Sequence, residues 1–179
     1  MKMDKKTKIV LINPPLSARQ VAGSLEKIAN IIPPLGIGYV AAVLKKAGFK
    51  VRIVDSVALR LDKEKIAEIP RKDEPDIIAF TATIMSIYSA IETAKYLRKV
   101  FPKAKLVLGG PQITSIPEQT MKPKVFDFGI LGEGEYTMLE LVEMVEAGKK
   151  NWSKIKSLVF WRGKKLVINP RREMIENLE

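Results

Sequence analysis

The sequence predicts an α/β fold, a doubly wound five-stranded parallel sheet with a C-terminal β-hairpin. Three observations carry this. Short aliphatic runs and amphipathic segments alternate five times along the chain. The runs are nearly continuous in Ile, Val and Leu, as in strands covered on both faces. Glycine or proline punctuates most junctions between them. With 179 residues and 46% hydrophobic composition, the chain is sized for one main core.

The elements follow in order. Lys8–Asn13 is an aliphatic run closed by Pro14 and Pro15, and is the first strand. A polar stretch begins at Leu16. Pro33 and Pro34 then precede a helix over Leu35–Ala47, where Ile37, Val40, Ala41 and Leu44 recur at helical spacing and Gly48 stands at the C-terminal cap. Val51–Asp55 is the second strand, Lys63–Arg71 a helix, and Asp76–Thr81 the third strand. Ser86 or Ser89 starts the next helix, with Ser89 and Glu92 at capping-box spacing, and Pro102 ends it. Lys105–Leu108 is the fourth strand, broken by Gly109-Gly110-Pro111. Phe128–Leu131 is the fifth, and an amphipathic helix runs from Glu135 to Ala147 until Gly148 stops it. Leu158–Trp161 and Leu166–Ile168 flank Arg162–Lys165 as a hairpin.

Composition removes much chemistry. Cysteine and histidine are both absent. That excludes disulfides, Cys nucleophiles, Ser-His-Asp catalysis, structural zinc of the usual kind and a cysteine-ligated iron–sulfur cluster on these residues. No apolar run reaches the length of a membrane span and the charged N-terminus lacks a signal-type apolar stretch, so the reading is soluble and cytoplasmic, with no membrane partner. Abundant Lys and Glu without Cys points to a thermophilic source. Net charge is +11. Nine basic residues and no acid lie between Lys149 and Arg172. An interaction module that binds nucleic acid or a protein through this basic hairpin is one reading. A solvated surface is favoured over it, because no aromatic-interleaved motif accompanies the charge.

In open α/β sheets ligands bind at the carboxyl ends of the strands, near the point where strand order reverses. Those ends read Asn13-Pro14-Pro15, Thr81-Ala82-Thr83 with Met85 and Ser86, Gly109-Gly110-Pro111, and Gly132-Glu133-Gly134-Glu135. Small residues there let a ligand approach backbone, while hydroxyls and helix N-termini satisfy its polar groups. Gly36-x-Gly38-x-x-Ala41 with Asp55 imitates a dinucleotide fingerprint and supports a competing reading, a nucleotide-dependent enzyme. The fingerprint needs a strand running into its first glycine, and here two prolines precede it. Gly36 and Gly38 are therefore read as close packing of the helix plus a ligand-facing N-terminus. No P-loop exists.

Taken together, Leu11–Pro15, Pro33–Ala42, Pro75–Thr81, Leu108–Pro111 and Gly132–Glu135 resemble the N-terminal cobalamin-binding domain of radical S-adenosylmethionine (SAM) enzymes. Their order and spacing are more specific than any one motif, and the resemblance covers nearly the whole chain. It implies a flavodoxin-like, Rossmann-like sheet of order 2-1-3-4-5 with the corrin across its C-terminal edge and the nucleotide tail threaded into the domain. By that resemblance Thr81 and Thr83 line the tail channel, Gly109 and Gly110 leave room for it, and Gly132, Glu133, Gly134 and Glu135 hold its nucleotide end. Asn13, Pro14, Leu35, Gly36 and Met85 face the corrin; Ser86 and Pro111 complete the cofactor-binding set.

The resemblance further implies a cobalamin-binding unit over residues 1–148 and a basic hairpin and linker over 149–179, leading toward a catalytic domain. The 4Fe-4S cluster and S-adenosylmethionine belong to that other domain, which performs methyl transfer or related radical chemistry, so no catalytic and no metal-ligating residue is assigned here. Cobalamin domains such as that of methionine synthase carry an Asp-x-His-x-x-Gly motif whose histidine ligates cobalt. Here Asn13-Pro14-Pro15 stands in its place. Binding is then base-off and histidine-off, with water, a weak ligand such as the Met85 thioether, or nothing on the lower face.

Overall fold

The aliphatic runs form seven strands: β1 (Lys8–Asn13), β2 (Lys50–Asp55), β3 (Ile77–Thr81), β4 (Lys105–Gly109), β5 (Phe128–Ile130), β6 (Leu158–Arg162) and β7 (Lys165–Ile168). They belong to one sheet in a computed structural model that describes residues 7–15, 33–71 and 74–175. The charged N-terminus before Thr7, the polar stretch from Leu16 and the end of the linker beyond Ile175 lie outside the described residues. Strand order is β2-β1-β3-β4-β5-β6-β7. The first five strands are parallel, in the order 2-1-3-4-5. The chain moves outward from β1 to β2 and returns to the other side of β1 with β3, so the switch point lies between β1 and β3.

Alternate strand residues feed two separate cores, as the twofold period of a strand requires. Ile9, Leu11, Ile77, Ala79, Val107, Phe128 and Ile130 face α1 (Leu35–Lys46). The last helix of the fold covers this face too, through Met138, Leu141 and Val142. Val10, Ile12, Ile78, Phe80, Leu106 and Leu108 face the opposite core with α2 (Lys63–Arg71) and α3 (Ile87–Val100), whose Ala90, Ala94 and Leu97 are fully buried.

Between β4 and β5 lie two short helices, α4 (Pro111–Ser115) and α5 (Pro117–Met121), and α6 (Glu135–Glu146) follows β5. The sequence reading assigned no element to α4 or α5. Each is only five residues and starts on a proline, which suits a first turn but offers no helical periodicity to read.

Helix ends follow local chemistry. After α1, Gly48 N–H bonds to Lys45 O and Phe49 N–H to Leu44 O; after α6, Gly148 and Lys149 repeat the pattern on Val145 O and Met144 O. Both glycines have positive φ, as this pair of C-terminal bonds requires. Of the two expected starts of α3 the structure takes Ser86, without a side-chain capping bond. Ser86 precedes the first helical residue and Ser89 lies inside the helix, while Glu92 pairs with Lys95 instead of closing a capping box.

The hairpin is part of the sheet. β6 pairs antiparallel with β5 and β7 with β6, so the expected five strands plus hairpin form a continuous mixed sheet of seven. Gly129 on β5 lets α4 pack closely on the sheet, because a Cβ there would lie 2.8 Å from the Ile113 side chain. The basic stretch is also tied down: Arg162 bonds to Ser153 Oγ, Arg171 to Thr114 O, and Arg172 to Glu140 at 2.7 Å.

Candidate functional site

At the C-terminal edge of the parallel strands a cavity of about 270 Å³ opens between α1 and α6. Its floor is one layer of adjacent strands, with Leu11 beside Ala79 and Ala79 beside Val107 in register. Ile37 and Val40 of α1 wall one side, Ile130 and Met138 of β5 and α6 the other. Two residues further along the strands, at their ends, stand Thr81 and Gly109. Gly110, the loop Gly132–Glu135 and Gly36 complete the lining. An apolar slot thus opens into a ring of small and polar groups, the composition of a small-molecule site.

Local hydrogen bonds hold that ring. The Thr114 hydroxyl of α4 donates to Gly110 O and accepts from Gly132 N–H, both at 2.9 Å. It therefore ties the β4 loop to the β5 loop, a role with no signature in the sequence. Ala82 N–H bonds to Gly109 O and Gln112 N–H to Ala82 O, linking the β3 and β4 ends. Gly110 has φ 97°, and a Cβ there would lie 2.8 Å from both Ala82 O and Thr81 Oγ1. Its glycine is required by the turn and the neighbouring backbone, and it also lines the cavity. At Gly109 a Cβ would meet only Phe80 O, at 3.8 Å.

The fifteen residues singled out in the sequence divide. Gly36, Thr81, Gly109, Gly110, Gly132, Glu133, Gly134 and Glu135 converge on the cavity. Asn13, Pro14, Leu35, Thr83, Met85, Ser86 and Pro111 do not line it. The Asn13 amide donates to Asp55 Oδ1 at 2.9 Å, and Pro14 is buried. The Ser86 hydroxyl accepts from Thr83 N–H. Pro111 opens α4. Leu35 and Met85 are exposed, 67% and 53%, as are Ile84 and Tyr88, so the start of α1 and the β3–α3 turn present apolar side chains at this edge. The apolar lining, from Leu11 through Met138, escaped the sequence reading because each member looks like ordinary core.

Two further corrections concern Gly36 and Gly38. A Cβ on either meets nothing within 4 Å, so they face open space and not a close helix contact. Both lie inside α1, away from any strand-to-helix turn, and Asp55 Oδ1 already accepts from Asn13, Val57 N–H and Ala58 N–H. The nucleotide-dependent alternative loses its acidic group and its glycine turn together. Among the described residues no cluster of three or more His, Cys, Asp or Glu could hold a metal, and no helix is long and apolar enough to cross a membrane.

Glu135 stands apart. It is the first residue of α6, 93% withdrawn from solvent (7% exposed), and its Oε2 has no hydrogen-bond partner among the described residues. Glu133 differs, because its Oε2 accepts from Ile175 N–H at 2.6 Å.

Residues 21–142 match the B12 binding domain family. The chain belongs to that family. This B12-binding domain is 33% identical over 178 residues to an uncharacterized methyltransferase of Pyrococcus horikoshii, covering 98% of the chain and 37% of the relative. It is 34% identical over 157 residues to the anaerobic magnesium-protoporphyrin IX monomethyl ester cyclase of Cereibacter sphaeroides, covering 86% of the chain and 26% of the relative. The chain thus spans little more than a third, or less, of the curated relatives it matches. Its fold superposes, with a TM-score of 0.77 at 20% identity, on the radical S-adenosylmethionine methyltransferase TsrM from Kitasatospora setae, solved with cobalamin and a 4Fe-4S cluster bound; the match covers 98% of this chain and 30% of that one. Cobalamin is the cofactor of this B12-binding domain, and the nucleic-acid and nucleotide-enzyme readings are not favoured.

Proposed function

We propose that this domain carries cobalamin in base-off, histidine-off form for a longer enzyme of the radical SAM class. Methyl transfer or related radical chemistry would take place on a further domain that supplies the 4Fe-4S cluster and S-adenosylmethionine. The observation that carries the reading is the slot between α1 and α6, apolar at depth and ringed by Gly36, Thr81, Gly109 and Gly132–Glu135. Its volume suits a bicyclic aromatic group with an attached sugar and is too small for a corrin. The slot would hold the nucleotide tail, and the exposed Leu35, Ile84 and Met85 at the strand ends would face the macrocycle.

Bound cobalamin supplies a cobalt centre that accepts and donates methyl groups or single electrons. The chain's own residues bind and orient it. Leu11, Ala79, Val107 and Met138 withdraw the flat end of the tail from water. Thr81 offers a hydroxyl at the channel entrance, and Thr114 keeps the two glycine loops at fixed separation. With no histidine among these residues, the chain itself would offer cobalt no imidazole, and Leu11, Ala79, Val107 and Met138 would hold the tail away from it.

Residues 1–148 are the cofactor-binding unit in this reading. Residues 149–179, with the hairpin and the segment tied by Arg171 and Arg172, lead from it toward the catalytic domain. The test is spectroscopic. Protein loaded with hydroxocobalamin and reduced should show the base-off absorption spectrum and a cob(II)alamin paramagnetic resonance signal without nitrogen superhyperfine splitting. A clear axial-nitrogen splitting would mean that the tail stays on cobalt, and the slot would lose its assigned occupant.

A further inference from the structure

Asn169 anchors the chain as it leaves the hairpin. It is buried, and its amide donates to Trp152 O and Ile155 O, both at 2.8 Å. From there the chain runs along α6 toward the cofactor edge. Arg172 N–H donates to Ser157 Oγ and its guanidinium to Glu140 Oε1, both at 2.7 Å, and also to Thr137 Oγ1; Ile175 N–H then reaches Glu133 Oε2 at 2.6 Å. These contacts move from the second turn of α6 back past its first residue, so the segment climbs antiparallel to the helix. Arg171 reaches a different element and donates to Thr114 O of α4 at 3.0 Å.

Two consecutive arginines thus grip the two helices that follow the glycine loops, α4 after Gly109-Gly110 and α6 after Gly132–Glu135. Both loops line the slot, while Arg171, Arg172 and Ile175 do not. Resting on the cofactor reading above, we infer that residues 169–175 form a strap that holds the two glycine loops at their working separation, with Arg171, Arg172 and the Glu133 carboxylate as positioning residues for cofactor retention. The segment after the hairpin is then a structural part of the binding unit and not only a connection away from it. Gly132 and Glu133 are exposed, and Gly132 has positive φ with a Cβ position that meets nothing within 4 Å, so packing does little to fix this loop. Hydrogen bonds fix it instead: the Thr114 hydroxyl on Gly132 N–H, Ile175 N–H on Glu133, and Arg171 on the carbonyl of the same Thr114. A loop ordered before binding spares the ligand that entropy loss. The coupling is reciprocal, so what the strap adds to affinity the bound cofactor returns as order in the strap.

The test uses the whole chain with hydroxocobalamin as the probe and measures the coupling in both directions. Arg171→Met should weaken binding about 3- to 10-fold, the loss of one hydrogen bond from a charged donor at an exposed site. Arg171→Lys, which keeps a charged donor, should recover most of it. Arg162→Met removes the same charge but gives up a bond to Ser153 Oγ, away from both loops, and should bind like the parent. In the parent, hydrogen–deuterium exchange of peptides spanning 170–175 should slow on adding hydroxocobalamin, although none of these residues lines the slot. A segment with a purely structural role would exchange alike with and without the ligand. That result would overturn the inference, and because it is read on the parent it decides even where Arg171→Met fails to fold. Equal binding by parent and Arg171→Met would overturn it too, as would an equal loss in Arg162→Met, which would assign the effect to net charge. A parent chain that binds no cobalamin would overturn the cofactor reading itself, and this inference with it.

Discussion

The two edges of the parallel sheet are built for opposite purposes. At the N-terminal edge carboxylates close the chain's own hydrogen bonds: Asp76 accepts from Lys8 N–H, Asp127 from Leu106 N–H and the Arg98 guanidinium, and Glu146 from Thr7 N–H and its hydroxyl. At the C-terminal edge Asp55 does the same at the end of β2, but glycines stand at the ends of β4 and β5, whose loops hang on the Thr114 hydroxyl, and the buried Glu135 Oε2 has no donor among the described residues. One edge closes its own hydrogen bonds, and the other leaves a buried acceptor without a donor among the described residues. The difference teaches that a site can be recognised by what the fold leaves unpaired as well as by what it positions.

The largest test of this contrast lies at its exception. Gly110 belongs to the ligand edge yet is required by the backbone, so Gly110→Val should abolish cooperative folding, a loss above about 4 kcal/mol. A circular-dichroism melt decides it; a variant that melts normally would restore Gly110 to the role of open space.

At the other edge, Asp127→Ala strands the Leu106 N–H and the Arg98 guanidinium and should lower stability by about 2 kcal/mol, discounted from the buried-pair range because both side chains are about a third exposed. Cobalamin affinity of the folded fraction should not move. Urea unfolding combined with a spectral titration checks both halves, and a changed affinity would mean that the edges are coupled through the strands.

Thr114→Val removes the tie between the glycine loops. A stability loss of about 1–2 kcal/mol is expected, accompanied by weaker cobalamin binding, since the ring would then have to be ordered by the ligand. Unchanged affinity in the same pair of measurements would show that α4 holds the loops without it.

The smallest effect belongs to neither edge. On α3, the hydrogen bond from Lys95, and after it the lysine's charge, hold the Glu92 carboxyl below its ordinary value. A lowered folded value favours the folded state above the unfolded carboxylate range and loses that contribution as pH falls through the folded value. The pair is fully exposed, so Glu92→Gln should barely shift the acid limb of a stability-against-pH curve. A large shift would give this surface contact more weight than any carboxylate at the N-terminal edge.

The sequence by itself determined the alternation of strand and helix, the C-terminal stops at Gly48 and Gly148, and the clustering of small residues at the ends of β3, β4 and β5. These depend on periodicity and on backbone preferences that act within a few residues. The absence of histidine, also a matter of sequence alone, fixed that no imidazole from these residues ligates cobalt. Tertiary structure decided the rest. It joined the hairpin to β5, set Gly110 against Ala82 while leaving Gly36 and Gly38 open, turned Thr114 into a tie across 18 residues, and buried the Glu135 Oε2 without a donor among the described residues. Whether a Cβ clashes or a carboxylate finds a partner depends on atoms distant in the chain, and no local pattern encodes where those atoms will be.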